Sequence, residues 1–194
     1  VPLLNMQVML AALAIGYILG EGLGRLACLS FGCCYGKPLH QCGRLATLLF
    51  DRLAFVFTGA TKKAVYEGGL AGIKLVPIQG LTCILYTATA LVACHLFLHG
   101  QYRSAFLASL LVSQVWRVVS EMLRADFRGF TVISAYQKMG VAALVPGSGF
   151  CLLLPSPVLP LPDIATGLGL LFDPFLLLGL KALWFILFLH FGRS

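Results

Sequence analysis

Long uninterrupted apolar segments constrain this chain more than anything else in it. Residues 3–23, 75–98, 104–123, 130–154 and 164–191 each match the roughly 20 mostly apolar residues that a helix needs to cross a bilayer. Inside a bilayer every backbone polar group must be satisfied by the protein itself, which leaves helices and closed barrels. A barrel would show segments of about ten residues with alternating polarity, whereas FLLLGLKALWFILFLHF (175–191) is apolar on every face. The expected fold is therefore all-α, a polytopic integral membrane bundle forming one domain over 1–194. Composition agrees: 11% of residues are charged, against roughly 25% in a soluble domain.

The first span lacks a basic flank and an obvious cleavage site, and the chain opens on Val1, which reads as a trimmed chain with residues upstream. The net charge of +7 comes mainly from Arg25, Lys37, Arg44, Arg52, Lys62, Lys63 and Lys74, opposed nearby by Glu21, Asp51 and Glu67. An anionic partner follows, lipid headgroup or substrate phosphate, with no nucleic acid expected. Residues 37–74 form a polar arm within the domain. There Leu45, Leu48, Leu49, Leu53 and Phe57 recur at helical spacing beside Arg44, Asp51 and Arg52, predicting an amphipathic interfacial helix. Glycines 59, 68, 69 and 72 then mark turns. VPIQ (76–79) opens the second span, with Pro77 suited to a helix entrance and Gln79 polar at the membrane edge. Prolines 146, 155, 157, 160 and 162 predict an extended connection over 146–163.

SQVWRVVSEMLRADFRG (113–129) carries the strongest chemical signal. At 100° per residue Gln114, Arg117, Glu121 and Arg124 fall on one helix face. Ionisable residues inside a span cost roughly 2.5–3.5 kcal/mol each and face a protein interior or a watered cavity. Two readings stand: an Arg117–Glu121 pair that fixes helix packing, or a clamp in which arginine's planar fork binds phosphate. A second guanidinium is available in GRLACLSFGCCYGKP (24–38), where Arg25 lies among glycines 20, 22, 24, 32 and 36 that permit close backbone approach.

The seven cysteines are an odd number, several lie inside predicted spans, and they do not read as a disulfide framework. Cys28, Cys33, Cys34, His40 and Cys42 contain enough ligands for zinc, but their spacing is not that of paired C-x2-C knuckles. The expectation is reduced, metal-free Cys33 and Cys34 acting as small apolar fillers, with no metal and no cofactor.

GRLACLSFGCCYGKP resembles the signature of the prolipoprotein diacylglyceryl transferases, in which Gly-Arg opens a loop closing on an aromatic-Gly step. VPIQ resembles that family's His-Pro-x-Gln entry, RVVSEMLRAD its Arg-x3-Glu-x2-Arg helix, and SAYQ (134–137) its Ser-x2-Gln. These motifs occur in the family's order across 24–137, a little over half the chain. The resemblance implies a multi-pass protein of the bacterial cytoplasmic (inner) membrane. It implies transfer of a diacylglyceryl group from phosphatidylglycerol, or a related anionic phospholipid, to the thiol of a prolipoprotein or other acceptor. Arg25 and Arg117 match the family's essential arginines, with Gly24, Gly36, Gln79, Glu121 and Arg124 in substrate-binding places.

The departures are specific. The family's asparagine after the signature arginine is Cys28 here, its loop acid is Cys33, its entry histidine is Val76, and its upstream His-Gly-Gly segment would precede residue 1. Loop charge counting puts 24–74 on the cytoplasmic side, whereas the family places that region outside, and the family's orientation is preferred. The alternative function is a non-catalytic membrane subunit that keeps the fold and packs against membrane-protein partners. A transporter ranks last, because no internal repeat is visible.

Overall fold

The computed structural model describes residues 6–125, 135–154 and 161–191. Its helices are α1 (Met6–Phe31), α2 (Arg44–Phe50), α3 (Lys63–Tyr66), α4 (Ile78–Leu98), α5 (Tyr102–Leu123), α6 (Ala135–Leu153), α7 (Ile164–Leu170) and α8 (Pro174–Phe191). A two-stranded ribbon pairs β1 (Phe55–Val56) with β2 (Lys74–Leu75). The architecture is an all-α membrane bundle, as the apolar runs require. By length and composition α1, α4 and α5 can cross a bilayer, and α7 with α8 qualifies as a pair bent by 66°. Among the described residues, three or four spans qualify where five are expected. Helix α6 forms but does not qualify, because Gln137, Lys138, Ser148 and its glycines dilute its apolar content.

Helices α1, α4 and α5 pack against one another, and α6 packs on α5, which therefore touches all three of the others. At 1.5 Å per residue, the 26 residues of α1 span about 39 Å and outreach a hydrocarbon core of about 30 Å. Small residues allow the close crossings: Ala11 and Ala93 are fully buried and Ala90 nearly so. At Gly22 a methyl group would lie 2.9 Å from Tyr86 Cβ and 3.4 Å from Thr87 N on α4. Neither contact is the yielding end of a long side chain. Gly22→Ala is therefore expected to cost about 1–3 kcal/mol, read as a lower thermal midpoint in detergent.

Polar ties fix the register between spans. The Tyr86 hydroxyl donates to Ser113 O (2.9 Å) and Trp116 Nε1 to Thr82 Oγ1 (2.8 Å), both joining α4 to α5. The turn between these helices is a Schellman motif around Gly100 (φ 73°), in which Gln101 N bonds Leu96 O and Gly100 N bonds Phe97 O. At the same end of the bundle, Gln7 Nε2 donates to Cys151 O and Leu154 O while Arg103 Nη2 donates to Leu154 O. These bonds occupy carbonyls that the end of α6 leaves unpaired.

Residues 146–153 correct the expectation of an extended connection, because Pro146 lies inside α6. Neighbouring helices and side chains make such a proline tolerable within a bundle. Of the remaining prolines, 155, 157 and 160 lie outside the described residues, and Pro162 lies in the irregular stretch before α7. The amphipathic helix of the arm is shorter than its pattern implied: α2 ends at Phe50, with Leu45, Leu48 and Leu49 exposed along it. Phe57, instead of continuing that helix, follows β1 and joins Tyr35, Ala64 and Leu75 in a separate small core.

Candidate phosphate-binding cleft

The opposite end of the bundle gathers the charged residues. Helix α1 stops through a second Schellman motif: Gly32 adopts φ 64°, its N–H bonds Leu29 O (3.3 Å), and Cys33 N bonds Cys28 O (3.1 Å). The Lys62 ammonium reaches Ser30 O at the same terminus, where a cation suits the negative end of the helix dipole. The chain then threads between two other helix ends. Tyr35 O accepts from Ala125 N (3.1 Å), Lys37 N donates to Leu123 O (2.9 Å), and Val76 N donates to Lys37 O (3.0 Å). Gly36 forms a bridge pair with Arg124. The segment 35–37 therefore ties the end of α5 to the entrance of α4, and the Gln79 side chain adds a bond to Cys33 O (2.9 Å).

These ties enclose a cleft of about 200 Å³ between α1, α4 and α5. Its charged lining consists of Glu21, Arg25, Arg117, Glu121 and Arg124, joined by Cys34, Gln79, Thr82, Tyr86 and Ser120. Glu21 is the hub. Arg25 Nη2 donates to its Oε1 at 2.7 Å, and Arg117 Nη2 to its Oε2 at 3.3 Å, so one carboxylate holds two guanidiniums from different helices. Arg117 also donates to the Tyr17 hydroxyl. Glu121 is paired with Arg124 at 3.7 Å, both side chains being more than nine-tenths buried. The lining arginines outnumber the lining glutamates by one charge. Arg25 Nε and Gln79 Oε1 are buried with no hydrogen-bond partner among the described residues, a donor and an acceptor whose desolvation is uncompensated.

The sequence-derived candidates fall into two groups. Arg25, Gln79, Arg117, Glu121 and Arg124 line one cleft. Gly36 lies beside it as a packing position, since a Cβ there would sit 2.4 Å from Val76 O. Gly24 is exposed and has nothing within 4 Å of where its Cβ would be. Gln114 leaves the expected stripe: it is buried, its Nε2 donates to Ser113 Oγ, and its Oε1 lies 3.5 Å from where a Cβ on Gly140 of α6 would be. The Arg117–Glu121 pair is also corrected. Arg117 reaches across to Glu21 of α1, and Glu121 takes Arg124, which has already left the helix (φ −89°, ψ 154°). Of SAYQ, Ser134 lies outside the described residues, and Gln137 Nε2 donates to Val118 O at 3.4 Å.

Sequence reasoning counted Glu21 only as a nearby acid and Cys34 only as a small filler, and assigned neither to the cleft that both line. Glu21 stands four residues before Arg25 inside an apolar span, the spacing and setting of an intramembrane ion pair. Cys34 adopts φ 54°, the one non-glycine among the described residues with positive φ. The Sγ atoms of Cys28, Cys33 and Cys34 lie within 4.8 Å of one another, and no disulfide links any of the seven cysteines. His40 and Cys42 do not join that cluster; Cys42 Sγ turns instead to Pro38 O. Burial, with Cys34 and Cys28 alongside, pushes the Cys33 thiol up to about 12.

A model of the family described as prolipoprotein diacylglyceryl transferase matches residues 3–153, which covers α1 to α6 and every lining residue of the cleft. No curated protein and no solved structure matches the chain.

Proposed function

The chain belongs to the prolipoprotein diacylglyceryl transferase family, and from that premise we propose that the cleft binds the phosphate of phosphatidylglycerol and transfers its diacylglyceryl group to a thiol acceptor. The observation that carries this reading is the Arg25–Glu21–Arg117 arrangement. A carboxylate between two guanidiniums fixes their spacing while occupying few of the five N–H donors that each carries. The unpartnered Arg25 Nε is one donor left for an anion.

The chemistry explains why arginines suit the role. The acceptor thiol loses its proton to solvent, its sulfur attacks the glyceryl carbon that bears the phosphodiester, a C–S bond forms, and the C–O bond breaks with its electron pair passing to the phosphate oxygen. The departing glycerol phosphate carries one more negative charge than the diester did. Guanidiniums around it are thus attracted more strongly in the transition state than in the ground state, which is the requirement for raising the rate. Arginine keeps its charge in a partly dry site and offers a planar fork to phosphate oxygens.

The non-catalytic alternative has its own supporting observation: each arginine already has a carboxylate partner, as a packing network would require. Bound lipid separates the two. Native mass spectrometry of the full chain, purified in mild detergent and reconstituted in vesicles containing phosphatidylglycerol and phosphatidylethanolamine, is expected to show retained phosphatidylglycerol. Equal retention of both lipids would contradict the phosphate-clamp reading.

A further inference from the structure

The Schellman motif that ends α1 normally needs only an apolar contact between its two flanking positions, here Cys28 and Cys33. The structure adds a third sulfur. Cys34 follows directly in left-handed backbone, a conformation that side chains other than glycine adopt at a cost. Its Sγ closes a triangle with the other two, and the same residue lines the arginine cleft. Three thiols at one helix terminus, all half-buried and none in a disulfide, supply the soft donors that zinc prefers. Tetrahedral Zn–S bonds of about 2.3 Å place sulfurs about 3.8 Å apart, within a small adjustment of the spacing found here. This chain therefore assembles by a turn what paired knuckles assemble by C-x2-C spacing.

We propose that Cys28, Cys33 and Cys34 bind a zinc ion as thiolates, leaving its fourth position open toward the cleft for the acceptor thiol. The coordinating role of the three cysteines stands on their geometry; the acceptor's role rests on the transferase reading above. Three thiolates and one divalent ion leave a net negative centre. Binding of the acceptor thiol to that fourth position releases its proton to solvent and holds sulfur as the nucleophile. Once the C–S bond has formed, the product thioether carries no charge, binds zinc more weakly than a thiolate, and can leave.

The test is elemental analysis of the full chain, purified without chelator and washed free of loose metal, beside Cys28→Ser, Cys33→Ser, Cys34→Ser and the control Cys42→Ser. The expected result is about one zinc per chain in the unmutated and control proteins, with at least roughly tenfold less in each cluster variant. Cobalt substitution gives a readout independent of activity: sulfur-to-metal charge transfer and intense visible bands of a tetrahedral site, lost in the same variants. A Cys28–Cys33 or Cys33–Cys34 disulfide in freshly isolated protein would overturn the proposal, as would metal that survives all three serine variants. Stoichiometric zinc in a protein without phosphatidylglycerol-dependent transfer would support the metal site and contradict the transferase reading. Transfer by a protein free of zinc would do the reverse.

Discussion

Gly36→Ala is expected to unfold the site end of the bundle, lowering stability by about 3 kcal/mol or more and abolishing any activity of the cleft. The added methyl would lie 2.4 Å from Val76 O, 2.8 Å from Val76 Cβ and 3.1 Å from Val76 C. Backbone atoms cannot retreat as a side-chain tip can, and Val76 is itself held by its bond to Lys37 O. Moving residues 35–37 to make room would release both bonds to the end of α5, which together make the Gly36–Arg124 bridge. Gly24→Ala makes the comparison, because its Cβ meets nothing within 4 Å. In a helix interior that change is expected to stabilise by about 0.5–1 kcal/mol. Thermal unfolding of the two variants in one detergent checks both numbers.

The second large effect concerns Arg117. Arg117→Lys keeps a cation beside Glu21 but removes the fork, so transfer is expected to fall by roughly 10²–10³-fold while the thermal midpoint moves little. Arg117→Ala removes the charge as well and leaves Glu21 to Arg25 alone. The two partners retain about a fifth of their side-chain exposure, so the stability loss is expected near 1–3 kcal/mol, below the 3–5 kcal/mol of a fully buried pair. A packing role predicts the other pattern, with Arg117→Lys nearly silent in transfer and in stability.

Much of the bundle can be read from local sequence, because its causes are local. The apolar runs mark α1, α4 and α5, Pro77 stands at the N-cap of α4, and the glycine of the aromatic-Gly step marks the tight approach at Gly36. The site is only half legible for the complementary reason. Arg117 and Glu21 are separated by 96 positions, so their pairing depends on α1 packing against α5, which no single segment encodes. Arg124 was expected on the helix face, yet the chain leaves α5 at Leu123 to pair with Gly36, and that turn carries its guanidinium to the cleft by another route. Spacing alone also obscured the thiol cluster. C-x4-C around a glycine is an unremarkable interval in a loop, but in a Schellman terminus it brings the first and last side chains together. Pro146 misled in the opposite direction: a single proline predicts a break only where nothing else supports the helix.

The central claim is that Arg25 and Arg117 serve one phosphate. Its most direct measurement is transfer from phosphatidylglycerol to a lipobox peptide by the reconstituted full chain, compared with Arg25→Lys and Arg117→Lys at matched folded fraction. The account predicts thioether product and released glycerol phosphate from the unmutated protein, with both variants reduced at least a hundredfold. Undiminished transfer by either variant would contradict it.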